Sequence, residues 1–193
     1  MATSPPDPLR LLVGVTGGVA AFKTAALVSQ LVQLGVDVQV VMTRDAKRFV
    51  GPATFAALTG KRVLTRTFDQ ADHPLGPHIE LARAAQVMLV APATANFLAK
   101  AACGLADDLL STLVLSFTGQ LLVAPAMNAE MWAKPAVQRN VETLRGDGVT
   151  IIPPGSGWLS CREAGAGRMA EPADISSAIA DVCKEHRLPW PAS

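Results

Sequence analysis

Apolar residues along the chain form short, almost uninterrupted runs that alternate with longer amphipathic stretches. The runs have the pattern of strands buried on both faces of a sheet, and they cover residues 9–15, 36–42, 86–91, 120–123 and 149–152. Apolar positions at helical spacing lie between and after them, at residues 22–34, 52–58, 79–85, 97–102, 106–117, 135–144 and 172–183. Strands that alternate with helices predict an α/β fold, a single doubly wound parallel sheet.

Three of the predicted strands end in turns that are rich in Gly, Pro or Asn. These turns lie at residues 16–21, 92–96 and 124–132. Right-handed crossovers place the carboxyl ends of parallel strands on one edge of the sheet, and open α/β sheets bind their ligands at that edge. The three turns therefore predict one shared ligand site.

The first turn has the geometry of a phosphate-binding site. Gly17 and Gly18 let the backbone approach a ligand closely, and the small Ala20 keeps the start of the following helix open. The turn lacks the GxGxxG dinucleotide pattern, so an ordinary tight strand-to-helix turn is the alternative. Thr43 ends the second strand and either adds a phosphate contact or caps the turn that follows it.

A single amide, Asn128, follows the strand at residues 120–123 and the proline that ends it. Met127, Met131 and Trp132 surround it in the sequence with soft apolar side chains. An amide held in such a wall can read a carboxylate or a carbonyl with a definite geometry. The alternative is a turn that packs two methionines and a tryptophan into the core.

His78 is a candidate acid–base group at the start of a helix. The irregular residues 69–77 lead up to it, and a helix N-terminus disfavours the charged form of a histidine. His78 then acts as a neutral imidazole or as a proton donor when a substrate carboxylate arrives. The alternative is a surface or packing histidine.

Residues 153–171 form a long segment without a recognisable strand or helix pattern. Its length predicts a lid or clamp over a site. Cys161 lies in the middle of this segment beside Arg162 and is a candidate reactive thiol. Cys103 and Cys183 fall in helix patterns, where we expect small core residues.

Composition narrows the class of protein. The 193 residues are half apolar and carry a formal net charge of +1, which suits one sizeable domain and gives no electrostatic argument for nucleic acid or an anionic membrane. No apolar run reaches the roughly 18 residues of a membrane span, and the N-terminus lacks the pattern of a secretory signal. Three widely spaced cysteines indicate reduced thiols in the cytoplasm, without a disulfide framework or a zinc site. We expect a flexible tail at residues 1–8, one domain at residues 9–185 and a C-terminal tail at residues 186–193.

Taken together, the motifs resemble those of the homo-oligomeric flavin-containing cysteine decarboxylases. The resemblance covers residues 9–174 and rests on five short motifs in the same order: GVTGGVAA at 14–21, HIEL at 78–81, PATAN at 92–96, PAMNAEMW at 125–132 and GAGRM at 165–169. It implies a Rossmann-like (flavodoxin-like) fold, FMN as the cofactor, and a homotrimer or a trimer-based homododecamer with its sites at subunit contacts.

The resemblance also implies roles for individual residues. The phosphate of FMN is expected at Gly17, Gly18, Ala20, Thr43, Thr94 and Asn96, and the flavin ring against Asp107 and Ser111. The catalytic residues of the family match His78, Asn128 and Cys161. Arg83, Asn128, Met131 and Ala166 are expected to bind the substrate, with residues 153–171 as its clamp.

The implied reaction is the decarboxylation of 4′-phosphopantothenoylcysteine to 4′-phosphopantetheine in coenzyme A biosynthesis. A loop cysteine favours this complete reaction, because the peptidyl-cysteine decarboxylases of the family stop at an enethiol. Such a peptidyl-cysteine decarboxylase and a non-catalytic FMN-binding regulatory subunit are the alternatives. A flavin prenyltransferase shares the fold, but its Ser- and Glu-bearing motifs are not evident here. The chain departs from the coenzyme A enzymes at Arg162, which adds bulk and charge beside Cys161.

Overall fold

A five-stranded parallel sheet forms the centre of the computed structural model, which describes residues 7–68, 76–158, 162 and 164–191. The strands are β1 (Arg10–Val15), β2 (Asp37–Met42), β3 (Val87–Ala93), β4 (Gln120–Pro125) and β5 (Thr150–Ile151). Their order across the sheet is β2-β1-β3-β4-β5, and every pair is parallel. This is the order of flavodoxin-like doubly wound sheets, so the predicted fold is confirmed.

Helices cover both faces of the sheet. They are α1 (Ala21–Gln33), α2 (Pro52–Thr59), α3 (Pro77–Ala84), α4 (Ala95–Cys103), α5 (Leu109–Ser116), α6 (Ala129–Trp132), α7 (Pro135–Gly146) and α8 (Pro172–Glu185). Leu11 and Val13 of β1 enter a first core with residues of α1, α2 and α8, whereas Leu12 enters a second core with residues of α4, α5 and α7. Burial on both faces explains why the strands are continuous apolar runs in the sequence.

Strand pairing brings the three predicted turns together at one edge. β3 lies between β1 and β4, so the turns that follow these three strands are neighbours. The pairing of Ala93 with Pro125 and a hydrogen bond from Ala126 N–H to the Ala93 carbonyl (3.1 Å) extend the contact into the turn. Beside β2, Leu64 forms a single parallel bridge with Val41.

Residues 153–171, predicted as irregular, contain an antiparallel hairpin of β6 (Gly155–Trp158) and β7 (Ala164–Arg168). The expectation of an irregular loop is therefore wrong for these two stretches. Their sequences, GSGW and AGAGR, lack the β-branched residues and the alternation that mark a strand. Residues 159–161 and 163 lie outside the described residues, so Cys161 and the clamping role of the segment stay predictions.

Residues 186–191, the described part of the predicted C-terminal tail, pack against the protein. After α8 the chain turns back, and Leu188 N–H donates to the Cys183 carbonyl at 2.8 Å. Leu188 and Trp190 then contact the first core. None of the helices in the described ranges is long and apolar enough to cross a membrane.

Candidate active site

A cavity of about 540 Å³ opens where the three turns meet the hairpin. The turn after β1 and the start of α1 form one wall, and Thr94 and Ala95 after β3 form the floor beside it. Met127, Asn128 and Met131 form the opposite wall, which is completed by Trp158 of β6 and by residues 167–169 at and just after the end of β7. The structure thus brings together six of the predicted site residues: Gly17, Gly18, Ala20, Thr94, Asn128 and Met131.

The turn after β1 is suited to hold an anion. Within the described part of the chain, the backbone N–H groups of Val19 and Ala20 donate no hydrogen bond, although they lie at the N-terminus of α1 and on the cavity wall. Unpaired N–H groups and the positive end of a helix dipole together favour a phosphate. At Gly17 a side chain has no room, because a Cβ would lie 2.8 Å from Asp45 Cβ.

Thr16 joins this turn to the turn after β3. Its hydroxyl donates to the Pro92 carbonyl at 2.6 Å and accepts a hydrogen bond from Thr94 N–H at 3.2 Å. The Thr94 hydroxyl in turn caps α4 by accepting from Phe97 N–H at 3.4 Å. Two helix N-termini are therefore held side by side at one end of the cavity, which is the end that suits the phosphate of a cofactor such as FMN.

Asn128 is the N-cap of α6. Its backbone is extended (φ −65°, ψ 153°), and its side-chain Oδ1 accepts a hydrogen bond from Met131 N–H at 3.1 Å. The cap fixes which end of the amide is oxygen, so the amide nitrogen is the donor end. Met127 and Met131 flank Asn128 on the cavity wall. Asn128 therefore lies among apolar side chains on the cavity wall, and its role toward a carboxylate stays a prediction.

Lys23 is a cation on the cavity wall that is not among the residues predicted from the sequence. Its side chain is only 11% exposed, and its Nζ lies 2.8 Å from the Glu171 carboxylate and 3.3 Å from the Met169 carbonyl. The hydrogen bond from Lys23 holds the pKa of Glu171 below its usual range against the effect of burial, and Arg168 at 2.8 Å adds to it. The helix dipole disfavours a positive charge in the first turn of a helix. The position of Lys23 in the sequence therefore indicates that it needs a negatively charged partner.

The other predicted site residues that the structure describes do not line this cavity. Thr43 caps the turn that follows β2, which is the alternative to a phosphate contact. Its hydroxyl accepts a hydrogen bond from Ala46 N–H at 3.3 Å at the start of a short 3₁₀ turn. Arg83, Asn96 and Ala166 are exposed. The roles that the resemblance implies for these four residues stay predictions.

His78 lies in the first turn of α3, away from the cavity wall. Its Nδ1 is buried and has no hydrogen-bond partner among the residues that the structure describes. Its carbonyl accepts a hydrogen bond from the Ser116 hydroxyl at 3.2 Å, which ties α3 to α5. An imidazole nitrogen without a partner is costly to bury, which fits a group that meets a ligand or a neighbouring chain.

Asp107, Asp108 and Ser111 form a charged cluster with Lys100 at the start of α5. Lys100 Nζ lies 2.6 Å from Asp107 and 2.9 Å from Asp108, and the pair Asp108–Ser111 forms a capping box. Burial acts to raise the pKa of Asp108, but the hydrogen bond from Ser111 N–H and the Lys100 ammonium outweigh it and lower this pKa. Ser111 is buried, and its hydroxyl bonds within this cluster. Its contact with a flavin, like that of the exposed Asp107, stays a prediction.

We expect the free energy of unfolding to fall less steeply with decreasing pH in Asp108→Asn than in the wild-type protein. Because the pKa of Asp108 is lowered in the folded state, the charged carboxylate stabilises the fold above the ordinary pKa of aspartate. That contribution is lost as the pH falls through the lowered value. Asparagine is an equally good N-cap, so the variant loses only a partly exposed ion pair, about 1 kcal/mol or less at neutral pH. Urea unfolding between about pH 5 and about pH 2 should show a smaller slope against pH in the variant, and equal slopes would contradict this.

The two cysteines that the structure describes differ in environment. Cys183 is buried, and burial raises the pKa of its thiol to about 11, as expected of a core residue. Cys103 is exposed at the end of α4, so the expectation that it lies in the core is wrong. Among the described side chains, no group of His, Cys, Asp and Glu is arranged to hold a metal ion.

Comparison with known proteins places the chain in a family. The Flavoprotein family matches residues 3–184. The coenzyme A biosynthesis bifunctional protein CoaBC of Bacillus subtilis is 46% identical over 165 residues, which make up 86% of this chain and 41% of that protein. CoaBC of Mycobacterium tuberculosis is 44% identical over 184 residues, or 95% of this chain and 44% of that protein. The chain thus spans less than half the length of these curated relatives.

Solved structures agree with this placement. A mutant of PPC decarboxylase complexed with pantothenoylaminoethenethiol is 32% identical, with a TM-score of 0.82 over 92% of this chain and 100% of that one. The FMN-dependent cysteine decarboxylase SpaF is 38% identical, with a TM-score of 0.80 over 93% and 97% of the two chains. The chain is therefore a member of the Flavoprotein family, and its resemblance to the flavin-containing cysteine decarboxylases is confirmed.

Proposed function

We propose that this chain binds FMN and decarboxylates 4′-phosphopantothenoylcysteine to 4′-phosphopantetheine, a step of coenzyme A biosynthesis. The observation that carries the proposal is the cavity itself, which joins an anion-binding turn to an amide set among methionines. The similarity to CoaBC proteins and to PPC decarboxylase supports the choice of substrate. We place the reaction in the cytoplasm, which suits the free thiols of Cys103 and Cys183.

The residues on the cavity wall fit FMN. The N–H groups of Val19 and Ala20, with Thr94 nearby, would hold its phosphate. The adjoining apolar surface, to which Val19 and Phe22 belong, suits a flat aromatic ring. When it is bound, FMN supplies a reversible two-electron oxidation, which makes the loss of CO₂ from a cysteine unit chemically accessible.

The protein's own residues would then act on the carboxylate and on one proton. The Asn128 amide donates to the carboxylate and orients it. Met127 and Met131 surround this group with apolar surface, which disfavours the charged carboxylate relative to neutral CO₂. His78 would assist in orienting the substrate, and the thiol of Cys161 would give the proton that completes 4′-phosphopantetheine.

Carbon dioxide release from carboxylate-labelled substrate tests the proposal. The flavin-loaded protein should release labelled CO₂ from 4′-phosphopantothenoylcysteine, and heat-denatured protein should not. A peptide with a C-terminal cysteine, assayed in parallel, tests the alternative of a peptidyl-cysteine decarboxylase, which the 38% identity to SpaF keeps open. Release from the peptide alone, or from neither compound, would overturn the proposal.

We expect Cys161→Ser to change the product rather than to abolish CO₂ release. Decarboxylation leaves an enethiol, and the serine hydroxyl is a far weaker proton donor than the cysteine thiol. The variant should therefore release CO₂ and accumulate the enethiol, which has two hydrogens fewer than 4′-phosphopantetheine. Mass spectrometry identifies it, with Cys103→Ser as the matched control because Cys103 is exposed outside the cavity wall. Normal 4′-phosphopantetheine from Cys161→Ser would remove Cys161 from the mechanism.

We further propose that a second copy of the chain covers the cavity. Several apolar side chains on its wall are exposed in the single chain, with Phe22 at 60% and Trp158 at 65%. Exposed apolar surface of this kind marks an interface. A neighbouring copy would also supply predicted residues that lie outside the cavity, such as His78 and Arg83. Sedimentation velocity should give the mass of a trimer or of a multiple of it, and a fully active monomer would contradict this.

A further inference from the structure

Strand β7 of the hairpin contacts the Asn128 turn through its backbone. The Gly167 carbonyl accepts a hydrogen bond from Met127 N–H at 2.9 Å. Met127 directly precedes Asn128, the N-cap of α6. Both Met127 and Gly167 lie on the wall of the cavity. The hydrogen bond therefore joins the hairpin to the chain segment that carries the amide.

Gly167 has no space for a side chain. Its φ is +114°, a conformation that other residues rarely adopt. A Cβ at this position would lie 2.4 Å from the Met127 carbonyl oxygen and 3.3 Å from its carbonyl carbon. These contacts are backbone atoms, which cannot move aside as the end of a side chain can. A larger residue must therefore displace Met127 and with it the cap at Asn128.

The segment after β7 is fixed to the opposite wall of the cavity. The Met169 carbonyl accepts a hydrogen bond from Lys23 Nζ in the first turn of α1. Glu171 binds both Lys23 and Arg168 at 2.8 Å. Residues 167–171 thus connect the wall that would hold a phosphate to the wall that carries Asn128.

We propose that Gly167 is a positioning residue, which sets the place of the Asn128 amide relative to the first turn of α1. The backbone of β7 acts as a spacer between the two walls, and only glycine allows it to approach Met127 closely enough. This role deepens the proposed function and rests on it, since the catalytic consequence requires that Asn128 orients a carboxylate.

Gly167→Ala tests the proposal against Gly155→Ala, a control in the same hairpin. A Cβ at Gly155 meets only the Arg168 carbonyl oxygen, at 4.0 Å, and its φ is not positive. A displacement of about 1 Å at a catalytic group costs about 100-fold in rate, and we expect a loss of kcat of about this size in Gly167→Ala. The visible absorbance of bound FMN should be retained, because the anion-binding turn is unchanged.

Two further measurements separate positioning from a general loss of structure. Hydrogen exchange at Met127 N–H should be faster in Gly167→Ala and unchanged in Gly155→Ala, whatever reaction the protein catalyses. The product 4′-phosphopantetheine has no carboxylate for Asn128 to bind. Its inhibition constant as a product inhibitor should therefore be nearly the same in Gly167→Ala and in the wild-type protein. If Gly167→Ala does not fold, Glu171→Gln, which weakens the other end of the spacer, should show the same pattern with a smaller effect.

The inference would be overturned if hydrogen exchange at Met127 N–H were unchanged in Gly167→Ala. If Gly167→Ala does not fold, the same result in Glu171→Gln would overturn it. So would an equal loss of affinity for substrate and product, because Gly167 would then only shape the cavity. A third outcome is faster exchange at Met127 in Gly167→Ala together with a wild-type protein that does not decarboxylate the substrate. This outcome would support the coupling between Gly167 and Met127 and would reject the proposed function.

Discussion

Replacing Asn128 by aspartate is expected to abolish decarboxylation while the fold and the FMN content persist. Aspartate is as good an N-cap as asparagine, so its carboxylate still accepts the hydrogen bond from Met131 N–H. The change places a negative charge beside the substrate carboxylate in apolar surroundings. Two like charges at about 4 Å repel by about 4 kcal/mol at an effective dielectric constant of about 20, which corresponds to a loss of about 1000-fold.

Asn140→Asp is the matched control for this experiment. Asn140 belongs to α7 and does not line the cavity, so the same chemical change there should leave kcat/KM unaltered. The readout is CO₂ release, with the flavin absorbance measured on the same samples. Turnover of Asn128→Asp within a few-fold of wild type would mean that Asn128 does not bind the carboxylate.

Gly18→Asp is expected to yield a folded protein without FMN. A Cβ at Gly18 would meet Pro92 Cγ at 3.6 Å and Thr94 Cγ2 at 3.7 Å, which are ordinary contacts. Its carboxylate would then reach the helix N-termini that favour a phosphate. Losing two hydrogen bonds to a charged group costs about 3 kcal/mol or more, so FMN affinity should fall by about 100-fold or more.

Gly51→Asp provides the control for the added charge. Gly51 is the N-cap of α2, where a Cβ meets nothing within 4 Å and aspartate is favoured. FMN titration followed by fluorescence quenching measures both variants. Wild-type affinity in Gly18→Asp would place the phosphate elsewhere on the protein.

The sheet and the family could be predicted from the sequence for a physical reason. Parallel strands buried on both faces have few polar positions, so their runs stand out, and right-handed crossovers leave little choice of topology. The Gly17–Gly18 turn and Asn128 were recognisable because each follows such a strand directly. Their meeting in one cavity follows from the position of β3 between β1 and β4.

Features that depend on tertiary contacts could not be predicted in this way. The hairpin strands β6 and β7 are glycine-rich and have no hydrophobic pattern that predicts a strand. Their position is set by backbone pairing with each other and by contact with the turn at Met127. The bond between Lys23 and Glu171 joins residues far apart in the sequence. The same holds for Lys100, because only the fold shows that its ammonium pairs with both Asp107 and Asp108.

Mass spectrometry of the reaction product tests the central claim most directly. Flavin-loaded protein incubated with 4′-phosphopantothenoylcysteine should give a product that has lost CO₂ and nothing else, because the cycle returns both electrons to the substrate. Recovery of unchanged substrate from a fully FMN-loaded protein would contradict the assignment of this cavity to a decarboxylase of that compound.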